Sequence, residues 1–207
     1  SKRQAEFTFP RRGGARVGAG RKRIAPRPCV PHRTRPKLSG RHPLHVTLRL
    51  VDGLPSLRSR AVHTVLREAL RAGAERHGLH VVHYGALSNH VHLVCEAEDE
   101  IALSRGMKGL AVRIASGLNT FLRRSGAVFA DRYHARELRV PRDVRNVLAY
   151  VLGNARRHGV LVTELLDPCS SSDVFDGWKA LPAAQIRETW LARARTWLLR
   201  TGWRRHG

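Results

Sequence analysis

Acidic residues are scarce. Sixteen Asp and Glu stand against thirty-eight Lys and Arg in 207 residues, a formal charge of +22. So large an excess goes far beyond what solubility needs and is the footprint of a polyanionic partner, with nucleic acid first. Long apolar runs are also missing. None approaches the ~20 residues of a spanning helix, and the basic N-terminus lacks the apolar stretch and cleavage site of a signal peptide. An anionic membrane surface is thus the weaker competing partner, and the expected location is the cytoplasm, in association with the nucleoid. Cysteine is rare as well. Cys29, Cys95 and Cys169 are odd in number, far apart and without a Cys-x-x-Cys pair, which excludes a disulfide framework and a thiolate zinc site. No internal repeat of useful strength is present.

What is present is an ordinary globular apolar content, 42%, enough for one core. The first forty residues hold twelve Lys or Arg and a single Glu, with many Gly and Pro and little periodicity. A segment of that kind cannot bury enough surface to fold alone. Residues 1–40 therefore read as a basic arm that lies along phosphates when nucleic acid is bound, with Arg12, Arg16, Arg21, Lys22 and Arg23 as candidate contacts. The plain alternative is a solvated tail. Residues 41–166 read as the folded domain, and residues 167–207 as a polar linker, "DPCSSSD", followed by a helix rich in Trp and Arg.

Within the domain, "HPLHVTLRLV" alternates as a strand does. Residues 55–78 carry apolar side chains at helical spacing and close on Gly78 as a C-terminal cap. "LHVVHYGALS" and "HVHLVCEAE" are two strands parted by Ser88 and Asn89, which is hairpin spacing. Residues 99–126 form a long amphipathic helix, acidic at its start and basic at its end, as its dipole favours. "HARELRV" is a further strand. "PRDVRNVLAYVLGNARRHG" is a third helix with Pro141 in its first turn. Strand, helix, strand, strand, helix, strand, helix is the split βαβ order of a ferredoxin-like α+β fold, resembling that of RNA-recognition domains: a four-stranded antiparallel sheet backed by helices. In the C-terminal segment, Trp190 and Trp197 fall seven residues apart, which predicts a helix docking both on the domain; the competing reading has Trp and Arg stacking on bases.

Two features carry chemistry. In a strand alternate side chains share a face, so His90 and His92 point the same way while Val91 and Leu93 enter the core. Two such imidazoles can share a cation, or can simply be two of twelve histidines satisfied by hydrogen bonds. On the third helix, at about 100° per residue, Tyr150 shares a stripe with Asp143, Asn146, Asn154 and Arg157, while Val144, Val147, Leu148, Val151 and Ala155 should meet the sheet. A tyrosine on the polar stripe favours a functional phenol over a packing ring. Asn154, one turn on, can offer an amide oxygen to a metal held by the histidines, an open site suited to Mg²⁺ or Mn²⁺.

His90-Val91-His92 resembles the His-hydrophobic-His motif of the HUH single-strand endonucleases. Together with Tyr150-Val-Leu-Gly-Asn154 on a downstream helix, it resembles specifically the REP-associated tyrosine transposases, over roughly residues 42–162. The resemblance implies Tyr150 as nucleophile, His90, His92 and Asn154 as metal ligands, and transesterification of single-stranded hairpin or palindromic DNA through a 5′-phosphotyrosine. It also implies a monomer or homodimer. Where such transposases often continue the asparagine with proline, this chain has Ala155, so the helix is expected to run on for a turn. Arg132, Arg136, Arg156 and Arg157 flank the implied site and are candidate phosphate contacts. The rivals are an RNA-binding sheet, a non-cleaving DNA-binding protein of the same fold, and a nuclease that uses activated water.

Overall fold

The computed structural model describes residues 37–157, 159, 165–179 and 187–206. All of them belong to the second of two units into which the chain divides, residues 32–207. The arm residues Arg12, Arg16, Arg21, Lys22 and Arg23 lie outside the described residues.

The element order is β1 (Leu44–Arg49), α1 (Arg60–Gly73), β2 (Glu75–Arg76), β3 (Leu79–Ala86), β4 (His90–Ala97), α2 (Glu100–Phe121), β5 (His134–Glu137), α3 (Pro141–Arg157) and, after a 3₁₀ turn at Ser172–Val174, a π-turn at Leu198–Gly202 running into α4 (Trp203–His206). The sheet runs β2-β3-β4-β1-β5 with antiparallel neighbours throughout. This is the expected α+β plan with one strand more than the four anticipated. The addition arises at the end of α1, which stops at Gly73 instead of reaching Gly78. His77 (φ 57°) and Gly78 (φ 73°) then take left-handed conformations and fold the chain into the short β2–β3 hairpin. At the start of α2, Asp99 caps the helix by accepting a 2.6 Å hydrogen bond from the amide of Ala102.

Alternation along the strands divides the interior in two. Leu44, Val46 and Leu48 of β1 join Val91, Leu93 and Cys95 of β4 on one face, covered by α1 and α2. Val82 and Val94 point to the other, where Val144, Val147, Leu148 and Val151 of α3 meet Leu198 and Leu199. On β3 a bulge at Val82 shifts the alternation, so that Val81 before it and Tyr84 and Ala86 after it all face the helix pair while Val82 faces α3. Both helix layers approach β3 through glycine. A Cβ on Gly85 would sit 2.2 Å from the carbonyl oxygen of Val151 in α3, and a Cβ on Gly106 of α2 would sit 2.3 Å from Cβ of Leu79.

The stretch expected to be a linker is instead packed. Cys169, Ser170, Ser171 and Ser172 are buried. The amide of Ala86 donates to Cys169 O at 2.8 Å and that of Ser171 donates to Tyr84 O at 2.9 Å, which extends the sheet edge. A bidentate ion pair fastens it: Arg58 reaches both carboxylate oxygens of Asp167 at 2.9 and 2.8 Å and also donates to Ala86 O. Short polar residues lie here because their hydroxyls satisfy backbone groups that a buried loop would otherwise leave unpaired. The helix expected near residue 190 begins only at residue 197. Before it the chain is irregular, and buried Glu96 accepts from the amides of Arg195 (2.7 Å) and Thr196 (2.9 Å) and from Thr196 Oγ1 (2.7 Å). Those bonds hold residues 195 and 196 at the mouth of the helix, where one carboxylate satisfies several orphan donors. Trp190 and Trp197 consequently do not share a face: Trp190 packs against Tyr84, while Trp197 is 54% exposed.

Candidate active site

The site lies on the sheet face that carries α3. His92 is buried and His90 half-buried, with ring centroids 4.8 Å apart and planes at 89°. As alternation requires, Val91 and Leu93 are in the opposite core. His90 Nδ1 lies 2.8 Å from Asn89 Oδ1. A carboxamide oxygen only accepts, so this nitrogen bears the proton and the lone pair is left on Nε2, the arrangement a metal-ligating imidazole needs.

His92 is set by its neighbour strand. In register, β1 places Thr47 opposite His92 and His45 opposite Val94. His92 Nδ1 is 3.1 Å from His45 Nε2 and 3.1 Å from Thr47 Oγ1. Burial, and then the nearby positive charges of Arg136 and His134, push the pKa of His45 down to about 4. A neutral His45 can accept a hydrogen bond from His92 Nδ1–H, and His92 Nε2 then presents its lone pair outward. It is this nitrogen that faces α3, with Tyr150 Oη 3.5 Å away, at the outer limit of a hydrogen bond. The Tyr150 ring stands edge-on to both imidazoles, 5.1 Å from His92 and 6.0 Å from His45.

Helix α3 is as the periodicity required: Val144, Val147, Leu148, Val151 and Ala155 are all buried. It runs through Asn154 to Arg157, the extra turn expected from Ala155. Asn154 departs from the polar stripe. It is 2% exposed, and both its amide oxygen and its amide nitrogen lack a hydrogen-bond partner among the described residues. A buried amide with two unmet groups is costly and calls for a ligand or a role. Among the described residues no three His, Cys, Asp or Glu side chains gather as a metal cluster, so an ion here would rest on two imidazoles and this amide.

Of the arginines singled out from sequence, Arg136 is the one placed at the site. It is exposed on β5 and in register opposite His45. Arg132 is exposed in the loop before β5. Arg156 and Arg157 complete α3, and their side chains lie outside the described residues. Three participants were not singled out: His45 and Thr47, which set His92, and Gly85, which lets α3 close on the sheet. The alternation of His45, Thr47 and Arg49 was a visible signal that β1 has a polar face. Which residue meets His92 depended on strand register. The same face leaves Arg49, His134 and Arg136 exposed beside the histidines. Tyr84, the aromatic that an RNA-binding sheet would have needed, is 1% exposed on the opposite face, where its hydroxyl lies 3.3 Å from His63 Nε2. Burial raises its phenol well above the usual range. No helix among the described residues is long and apolar enough to cross a membrane.

No protein-family model and no curated protein matches the sequence. Solved structures do. The chain is similar to a REP-associated tyrosine transposase solved bound to a REP hairpin, with a TM-score of 0.51 and 16% identity over 64% of this chain and 76% of that one. It is also similar, at a TM-score of 0.41 and 18% identity, to a Deinococcus radiodurans R1 protein assigned as a transposase, over 63% of this chain and 95% of that one. The first likeness, taken with the antiparallel sheet and its helices, establishes that this chain has the fold of that REP-associated tyrosine transposase.

Proposed function

We propose that the protein is a metal-dependent single-stranded DNA transesterase of the transposase type, nicking and rejoining hairpin DNA through a 5′-phosphotyrosine. The observation that carries this reading is the approach of Tyr150 Oη to His92 Nε2, 3.5 Å within one chain, on a sheet face edged by exposed cationic side chains. The similarity to a transposase solved with a REP hairpin supports hairpin DNA as the partner. The net charge of +22 supports a polyanion generally.

Tyr150 Oη attacks the scissile phosphorus. A phosphorus–phenol bond forms as the bond to the 3′ oxygen breaks; the phenol loses its proton and the departing 3′ oxygen gains one. Attack by a 3′-hydroxyl reverses the step, so the bond energy is kept and rejoining needs no nucleotide cofactor. Helix α3, held on the sheet at Gly85, keeps the phenol in place, and His45 and Thr47 keep His92 in one orientation. Arg136, two strands from His92, supplies charge for the phosphates, and the arm with Arg132, Arg156 and Arg157 extends it. His90 Nε2, His92 Nε2 and the unpartnered Asn154 amide would hold the ion. With no thiolate in the set, Mg²⁺ or Mn²⁺ suits it better than a closed zinc centre. Such an ion, when bound, polarises the phosphate and stabilises charge in the transition state.

The test is a denaturing gel of the full chain with labelled single-stranded hairpins and Mg²⁺ or Mn²⁺. Wild type is expected to give a covalent protein–DNA band that Tyr150→Phe lacks, with DNA affinity nearly equal in the two. Cleavage that survives in Tyr150→Phe would point to activated water instead, and binding without cleavage would make the protein a DNA-binding relative of the enzymes.

A further inference from the structure

The C-terminal segment, residues 187–206, is not used by the site described above, yet it concentrates tryptophan and arginine. Three of the four tryptophans are accounted for by packing. Trp178 donates its indole N–H to Ser172 O at 2.9 Å and Trp203 donates to Leu199 O at 2.9 Å. Both rings lie against Phe175. Trp190 lies against Tyr84 with the Arg67 guanidinium 5.4 Å over its ring. Trp197 is different. It is 54% exposed, yet it is seated: a Cβ on Gly202 would come within 2.6 Å of its ring, so the indole rests directly on the glycine backbone. His206 flanks it at 6.1 Å. The preceding turn is tied to the sheet by Glu96 through Thr196. The indole is therefore rigidly held from below with much of its surface turned to water.

Cations surround it in the chain. A groove of about 460 Å³ is lined by Arg187, Arg193, Arg200 and Arg204, with Phe175 and Trp203 as its aromatic wall. Arg187 pairs with Asp173 and Arg204 with Asp176. Arg193 and Arg200, four residues before Trp197 and three after it, are exposed and have no ion-pair partner among the described residues. Trp197 does not line that groove, but Arg200 follows it by one helical turn and Arg193 precedes it by four residues. An exposed, seated aromatic face with guanidinium groups this near in the chain is the chemistry that takes an unstacked base and the phosphates next to it. A duplex has no free base face to offer.

We propose that this segment is a second nucleic-acid contact, in which Trp197 stacks on a base of the unpaired strand flanking the hairpin while Arg193 and Arg200 hold its phosphates. The inference rests on the DNA reading of the site above and names a further part of its substrate. It also gives the C-terminal segment the task of distinguishing a hairpin with a single-stranded flank from a blunt one.

The experiment measures fluorescence anisotropy of two labelled hairpins, blunt and with an unpaired tail, in EDTA so that nothing is cleaved. Full-length wild type is compared with Trp197→Ala and with the double variant Arg193→Gln/Arg200→Gln. Each variant is expected to lose about tenfold in affinity for the tailed hairpin and almost nothing for the blunt one, with Tm unchanged because these side chains are exposed. Tryptophan emission of wild type should be quenched by the tailed hairpin, and less so in Trp197→Ala. Equal affinity of wild type and both variants for the tailed hairpin overturns the proposal while leaving cleavage intact. So does competition by polyglutamate as effective as that by the tail strand, which would mark an acidic protein partner. Wild type that binds neither hairpin overturns the DNA reading together with this one.

Discussion

The two faces of the sheet are built from the same strands, and they differ in what they do with polar groups. Under α1 and α2 the described interior is largely apolar, and the polar tips of His63 and Tyr84 within it meet each other. Under α3 it mixes an apolar patch with His92, Glu96 and Asn154, all buried, beside half-buried Tyr150 and His45. The first face can be sealed because it only has to exclude water. The second leaves one flank, over β1 and β5, exposed, and its buried polar groups are fixed by specific partners, or in Asn154 by none among the described residues. The difference teaches that the helix pair holds the fold together, whereas α3 is placed to carry a phenol over a row of imidazoles.

Glycine substitutions on either side of β3 give the sharpest contrast. In Gly85→Ala the new methyl collides with Val151 O, a backbone atom that cannot move without α3. The phenol is expected to shift away from His92, and cleavage in single-turnover gel assays to fall on the order of 10²-fold, while hairpin affinity barely changes. In Gly106→Ala the clash is with Leu79 on the sealed face. Here the expectation is a stability loss of about 1–3 kcal/mol by urea titration, with cleavage per folded molecule retained. Cleavage lost equally in both variants would erase the distinction between a positioning face and a structural one.

Acid should probe both faces more gently. Burial lowers His83, on the β3 edge beside Ser171 and Phe175, to about 4, and lowers His63 under the helix pair to about 4 as well. These groups protonate in the unfolded chain near their ordinary 6.5 before they do so in the folded one, so stability is full above that value and falls as pH drops from about 6.5 towards 4. By pH 5.5 the loss is about 1 kcal/mol for a fully buried imidazole. Tm measured between pH 7 and 5 should decline in wild type and decline less in His83→Gln. An identical slope in the variant would show that His83 takes no part.

Much of the architecture was legible along the chain because its signals are local. The alternation through Val91 and Leu93 fixed the face of His90 and His92, and the spacing of Val144, Val147, Leu148 and Val151 fixed which side of α3 meets the sheet. Where expectation and structure parted, long-range pairing had overridden local pattern. Residues 169–172 have the composition of a linker, and the edge of β3 draws them into the sheet. Residues 187–196 have helical spacing, and hydrogen bonds to Val81 O and to the Glu96 carboxylate hold them in a non-helical path. The short β2 was missed because two residues carry no period.

For the site the division is similar. Composition pointed to a polyanion partner, since charge adds up without regard to fold. Spacing established the pairing of His90 with His92, since strand alternation determines it; one helix turn equally separates Tyr150 from Asn154, yet the fold buries the amide and leaves the phenol half-buried. That Tyr150 meets His92 at all, that His45 is the residue holding His92, and that Gly85 is the gap through which α3 closes were settled only by strand register and helix packing. These are contacts between residues as far as 66 positions apart, Gly85 against Val151, and no local physical rule reaches that far.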